Sequence, residues 1–216
     1  MLKKVLSLLL IAMLTLALSA CGNNDVPDDS GKTSQQGSQA GTVDSSHKND
    51  ENNNDSKVEL TQNLTFMGYS ISYPADADKN TSDYGNLIGN SDYCVIVEAP
   101  STAGIILETN NISDAPALCE EYVLETLEHK IRSLFDFDST TQNITSSNEV
   151  THNGIKMLMV EGTFTNGTSN TTTDFSAIYL LAGDNGNIPV YIVGVPMSAN
   201  YDVSDVVEAI AQNIKK

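Results

Sequence analysis

The chain has 216 residues, enough for one domain of ordinary size with some chain left over. Its 28 acidic against 11 basic residues leave a formal net charge of −17, which repels phosphate backbones and excludes nucleic-acid binding. At 40% apolar residues it is too hydrophobic to be disordered throughout, yet every aromatic (eight Tyr, five Phe) lies at or after Phe66.

Lys3 and Lys4 form a short positive region ahead of an apolar run over 5–18, broken only by Ser7 and Thr15. A membrane span needs ~20 apolar residues and this run has fewer, so residues 1–20 read as a secretory signal peptide. Directly after the run, Leu18-Ser19-Ala20-Cys21 resembles the lipobox of bacterial lipoproteins, where the Cys becomes the first mature residue and carries a diacylglyceryl group. The resemblance implies lipid attachment at Cys21 and an extracytoplasmic chain anchored to the bacterial membrane. Two acyl chains anchor a protein stably where one holds it only marginally, so an acidic domain needs no electrostatic help from the bilayer.

Residues 22–57 are a different material. Only Val26, Ala40 and Val43 are clearly apolar, and Asn, Ser, Asp, Gln and Gly dominate. Such a segment cannot bury enough surface to offset the entropy of ordering, so with the lipidated Cys it reads as a disordered polar tether over 21–57. At this length a flexible chain spans an r.m.s. distance of ~35 Å. His47 within it reads as solvated.

From Val58 onward the pattern is that of a single α+β domain over 58–216. Residues 64–74 show period-2 alternation and end at Pro74; a polar loop is expected over 75–86. Residues 93–98 and 104–108 read as a hairpin, with 100–103 in its turn. A helix follows, capped by Ser113 or Asp114 with Pro116 in its first turn, and Val123, Leu127, Ile131 and Leu134 form its apolar stripe. Strands near 141–151, 155–165, 172–182 and 188–195 form an antiparallel meander; Asn153-Gly154 is a strong two-residue turn signal. Both alternating sets are apolar in 155–160, which predicts a central strand covered on both faces. A terminal helix capped near Asp202 or Ser204 carries Val203, Val206, Val207, Ile210 and Ile214 as its stripe.

The predicted fold class is α+β, a largely antiparallel sheet packed with two main helices. The order of elements, the entry strand Tyr69-Ser70-Ile71-Ser72-Tyr73-Pro74 and the closing helix resemble the PsbP-like α/β sandwich. That fold is shared by photosystem lumen proteins and by bacterial lipoproteins of the LpqN and DcrB type. The resemblance implies a non-enzymatic binding or assembly module of the cell envelope, whose partner is an envelope protein or wall component. An alternative is an extracytoplasmic hydrolase, or an auxiliary subunit of one, using acidic residues.

No nucleophile–base motif, zinc motif or phosphate-binding glycine loop is present in the sequence. Cys94 and Cys119 form an even pair that permits a disulfide outside the membrane, while both positions equally suit buried free thiols. His129 and His152 read as surface residues. Asp76, Asp78 and Asn80 have the alternate spacing that opens a calcium-binding loop, with Ser82 at the seventh position. Thr81 stands where such a loop needs Gly and Leu87 where it needs Glu, so the expectation is a weak calcium site at most and otherwise no cofactor. The loop over 76–86, with Asp83 and Tyr84, is the candidate ligand contact.

Overall fold

The structure, a computed structural model, describes residues 58–82 and 85–216. The expected signal peptide, Cys21, the tether, Asp83 and Tyr84 lie outside the described residues.

The alternating run over 64–74 belongs to two strands. β1 (Leu60–Phe66) and β2 (Tyr69–Pro74) pair antiparallel, with Phe66 opposite Tyr69. Met67 and Gly68 form the turn at φ 49° and 83°. Two successive positive φ values match the right-handed twist of the flanking strands, and Gly68 adopts its value without steric cost.

The loop expected over 75–86 is largely sheet. β3 (Asp78–Ser82) pairs antiparallel with β4 (Gly85–Gly89), Asp78 opposite Gly89 and Asn80 opposite Leu87. β3 is an edge strand, so its sequence Asp-Lys-Asn-Thr-Ser needs no buried face and carries no apolar periodicity.

β5 (Tyr93–Glu98) forms as expected, but residues 104–108 are not its partner. Its two edges are taken by β4 and by β9 (Ile188–Pro196), which leaves no vacancy for a hairpin. The chain turns away through a short 3-10 helix (Pro100–Ala103) that ends at Gly104, φ 80°. Ile105 and Ile106, which mimic a strand in sequence, are exposed.

Helix α1 (Ala115–Lys130) has Pro116 in its first turn. Asp114 stands at its N-cap but makes no side-chain cap bond; the Asn111 side chain instead accepts from the Ser113 N–H at 3.3 Å, closing the 3-10 turn (Ile112–Asp114) that leads into the helix. The helix stops at Lys130, so Ile131 and Leu134 fall in the following turn, where Phe135 packs edge-on against Phe164.

β6 (Thr140–His152), β7 (Ile155–Asn166), β8 (Thr171–Ala182) and β9 form the expected antiparallel meander. Through β5 and β9 it joins the earlier strands in one seven-stranded antiparallel sheet of order β3-β4-β5-β9-β8-β7-β6. The fold class is therefore α+β, as the sequence predicts.

Both faces of this sheet are covered. One carries α1, whose Cys119, Val123, Leu124 and Leu127 are buried with Ile96, Leu158, Tyr179 and Tyr191. The other carries the β1–β2 hairpin and helix α2 (Ser204–Asn213), whose Val206, Val207 and Ile210 are buried with Ile71, Val95, Met157 and Ile178. β7 accordingly divides its side chains as expected, Ile155 and Met157 to one face, Leu158 and Val160 to the other. The hairpin is tied down by the Tyr69 hydroxyl, which donates to the Leu181 carbonyl at 2.8 Å, and by paired backbone bonds between Ser70 and Lys215.

α2 sits so close to β9 that Gly194 has no room for a side chain. A Cβ there would lie 2.6 Å from Val207 Cγ2 and 2.8 Å from Val203 Cγ2. Gly194→Ala is expected to destabilise the fold by about 1–3 kcal/mol, because both valines are held by the surrounding core. For a chain of this size that lowers Tm by roughly 2–4 °C per kcal/mol, which a thermal melt measures.

Candidate functional site

The residues singled out in the sequence do not converge. Asp78 and Asn80 stand two apart on β3, an extended edge strand rather than a loop that could wrap a cation. Asp76 lies in the preceding turn, where its Oδ2 accepts from the Asn90 side-chain amide at 3.1 Å. Among the described residues no group of three or more His, Cys, Asp or Glu side chains is arranged to hold a metal ion. His129 approaches Glu125 one helical turn away, at 4.0 Å, and His152 closes β6 opposite Ile155.

Cys94, on β5, and Cys119, on α1, are both free thiols on the α1 side of the sheet. Burial pushes Cys94 up to about 11, against a smaller opposing effect of the Lys130 charge, and Cys119 up to about 12. Thiols held protonated in this way are poor nucleophiles.

Asp76 instead contributes to an open groove of about 340 Å³, lined by Val58, Glu59, Pro74, Ala75, Tyr93, Tyr201 and Val206 besides itself. Pro74 ends β2, Tyr93 begins β5, and Tyr201 comes from the segment entering α2. Local bonds fix each wall. Asn90 Oδ1 accepts from the Asp92 and Tyr93 N–H groups at 2.8 and 3.3 Å. The Asp92 carbonyl accepts from the Met197 and Ser198 N–H groups at 2.7 and 3.2 Å. Asp202 Oδ1 accepts from the Ser204 N–H and hydroxyl at 2.9 and 2.6 Å, holding the start of α2. The Tyr93 and Tyr201 rings stack with centroids 5.4 Å apart and planes 20° from parallel. Among the described residues of the expected ligand contact over 76–86, Asp76 alone lines this groove; Tyr93 and Tyr201 read in sequence as a strand residue and a loop residue.

A second feature was hidden altogether in the sequence. Glu98, the last residue of β5, is only 4% exposed. Its Oε1 accepts from the Ala99 N–H at 3.1 Å and from the Thr102 hydroxyl, while its Oε2 is buried without a partner among the described residues. Burial pushes this carboxyl above its ordinary 4.5, against smaller opposing effects of the Ala99 N–H and the Lys130 charge. Glu98 borders a small cavity of about 100 Å³ shared with Tyr122, Glu125, Thr126 and Tyr191.

The chain matches no family model and no curated protein sequence. Among solved structures it is similar to cyanobacterial PsbP (CyanoP) from Synechocystis sp. PCC 6803, with a TM-score of 0.44 at 10% identity, covering 71% of this chain and 91% of that one. It is also similar to LpqN of Mycobacterium tuberculosis, a protein involved in cell envelope biogenesis, with a TM-score of 0.38 at 12% identity, covering 68% and 81%. At these identities no residue role carries across from either protein.

Two outcomes are expected from this chemistry. In the Cys21→Ala chain at pH 8, a thiol-exchange reagent should find Cys94 and Cys119 at least ~100-fold slower than an exposed cysteine, and titrate two thiols once the chain is denatured. A single fast thiol in the folded chain would contradict the buried, protonated state.

The second outcome concerns pH. Because the folded state keeps the Glu98 proton after the unfolded chain has lost it, the stability linked to this residue is full below pH 4.5 and declines as pH rises through the folded-state value. The slope contributed within that window is at most about 1.4 kcal/mol per pH unit. Glu98→Gln, which cannot ionise, should flatten this decline in denaturant-unfolding curves taken from pH 4 to pH 8.

Proposed function

We propose that the chain is a bacterial surface lipoprotein: a signal peptide over 1–20, a diacylglyceryl anchor on Cys21, a polar tether, and a binding or assembly module facing an envelope protein or wall component. The observation that carries this reading is Leu18-Ser19-Ala20-Cys21 placed directly after an apolar run too short to span a membrane. The composition of 22–57 supports it, since a flexible spacer of ~35 Å lets a tethered module reach past the lipid headgroups. A binding role is favoured because the open groove joins carboxylates, phenols and aliphatic walls, the means of holding a ligand on a rigid sheet.

The test is metabolic labelling with a radioactive or clickable fatty acid in a bacterial host. The native chain should take up label and fractionate with membranes. Cys21→Ala should take up none and accumulate as an uncleaved or mislocalised precursor. Label persisting on Cys21→Ala would overturn the assignment of the anchor.

A further inference from the structure

The groove at Asp76, Tyr93 and Tyr201 carries three independent chemical demands. Its walls are carbon: Val58, Pro74, Ala75, Val206 and two tyrosine rings. Its charge is negative. Glu59 and Asp76 line it, no basic residue among the described ones does, and the Tyr201 hydroxyl, besides its burial, feels Asp76, Asp92, Asp205 and Asp202. Its third demand is a hydrogen bond. Tyr93 is 2% exposed, and its buried hydroxyl has no partner among the described residues. An unsatisfied buried hydroxyl is costly, and burial together with Asp76 keeps this one protonated.

Each demand removes a class of ligand. An anion is repelled by the carboxylates. A bare hard cation leaves the carbon walls unused, and a neutral alcohol leaves the negative potential unanswered. A quaternary ammonium satisfies charge and ring faces but has no N–H to donate to the Tyr93 oxygen. What meets all three is a cation with an N–H and an aliphatic body, and a groove of about 340 Å³ lies in the range of small-molecule sites.

We propose that this groove binds an alkylammonium group, its carbons against Pro74 and Val206, its charge between Asp76 and the Tyr201 ring, and one N–H on the Tyr93 oxygen. The inference rests on the reading of the domain as a binding module and is independent of the lipid anchor. A free amine and a lysine side chain present the same chemistry, and the test separates them.

The purified full chain, with its tyrosine rings isotope-labelled, is titrated by NMR at low salt with butylammonium chloride. Saturable shifts are expected at Tyr93 and Tyr201, with a dissociation constant on the order of 1–10 mM for so small a ligand. Asp76→Asn and Tyr201→Leu should each weaken binding about fivefold, and 0.5 M sodium chloride should weaken it as well. Tyr93→Phe, which keeps the ring and the fold, should weaken butylammonium about fivefold while leaving tetramethylammonium unchanged. Nα-acetyl-lysine amide binding more tightly than butylammonium assigns the site to a protein's lysine; equal or weaker binding assigns it to a free amine, and either upholds the cation site. The proposal is overturned if Tyr93 and Tyr201 do not shift at all, if butanol shifts them as strongly, or if calcium at ~10 mM produces the same shifts. A silent groove in a chain that still labels with fatty acid removes the cation site and leaves the lipoprotein reading standing; loss of labelling with an intact groove does the reverse.

Discussion

The pairing of β5 with β9 is the constraint from which the remaining arrangement follows. It places Tyr93 opposite Pro196 and Glu98 opposite Tyr191, and it fuses β3, β4 and β5 with the meander after α1 into one sheet. A sheet so formed is wide, and its central strands carry aliphatic side chains on both sides. Two covers are then required. One is α1; the other is shared by the β1–β2 hairpin and α2. Period-2 alternation on β5 does the rest. Tyr93 falls on the hairpin face and Glu98 on the α1 face, so the two ends of one strand feed two different environments.

Those environments differ in what they ask of a polar group. At the Tyr93 end, the strand begins beside the turn after β2 and the segment entering α2, and an open groove remains between three elements that meet without filling the space. At the Glu98 end, α1 closes down, leaving a small cavity and a carboxyl whose pKa burial raises above its ordinary value. A charged carboxylate there would need partners that Oε2 lacks among the described residues. The first end suits recognition. The second favours stability at low pH, because the raised Glu98 pKa lets stability decline as pH climbs from 4.5 through the folded-state value.

Much of the fold is legible in the sequence because burial on two faces writes a strong signal. Residues 155–160 show it most plainly, and the stripe from Val203 to Ile210 shows it for α2. Where a strand needs no buried face, the signal vanishes: Asp78 to Ser82 reads as loop and is an edge strand. The converse error occurs at Ile105 and Ile106, whose aliphatic run suggests a strand although β5 has no free edge to offer it. The groove was legible only at Asp76. Tyr201 is separated from Tyr93 by more than a hundred residues, and their stacking depends on the β5–β9 register, which no local pattern encodes. Glu98 was hidden for a similar reason, since its burial comes from the helix that packs over it.

The unread edges bear on where recognition can occur. A sheet with two long bare edges invites strand addition by other chains. Here β3 answers with Asp78, Lys79, Asn80 and Thr81, all exposed. β6 answers with a largely exposed strand in which all but Ile144 and Val150 are polar, and with a bulge at Ile144 to Ser146, where the Thr145 hydroxyl bonds across to the Glu161 carbonyl. Charge on the edge and interruption of the ladder both disfavour another strand. The two broad faces are already covered, and of the thiols Cys119 is buried and Cys94 partly so. Among the described features that leaves the groove, where stacked phenols and an unanswered hydroxyl meet carboxylates, as the place where the sheet's rigidity is turned outward toward a ligand.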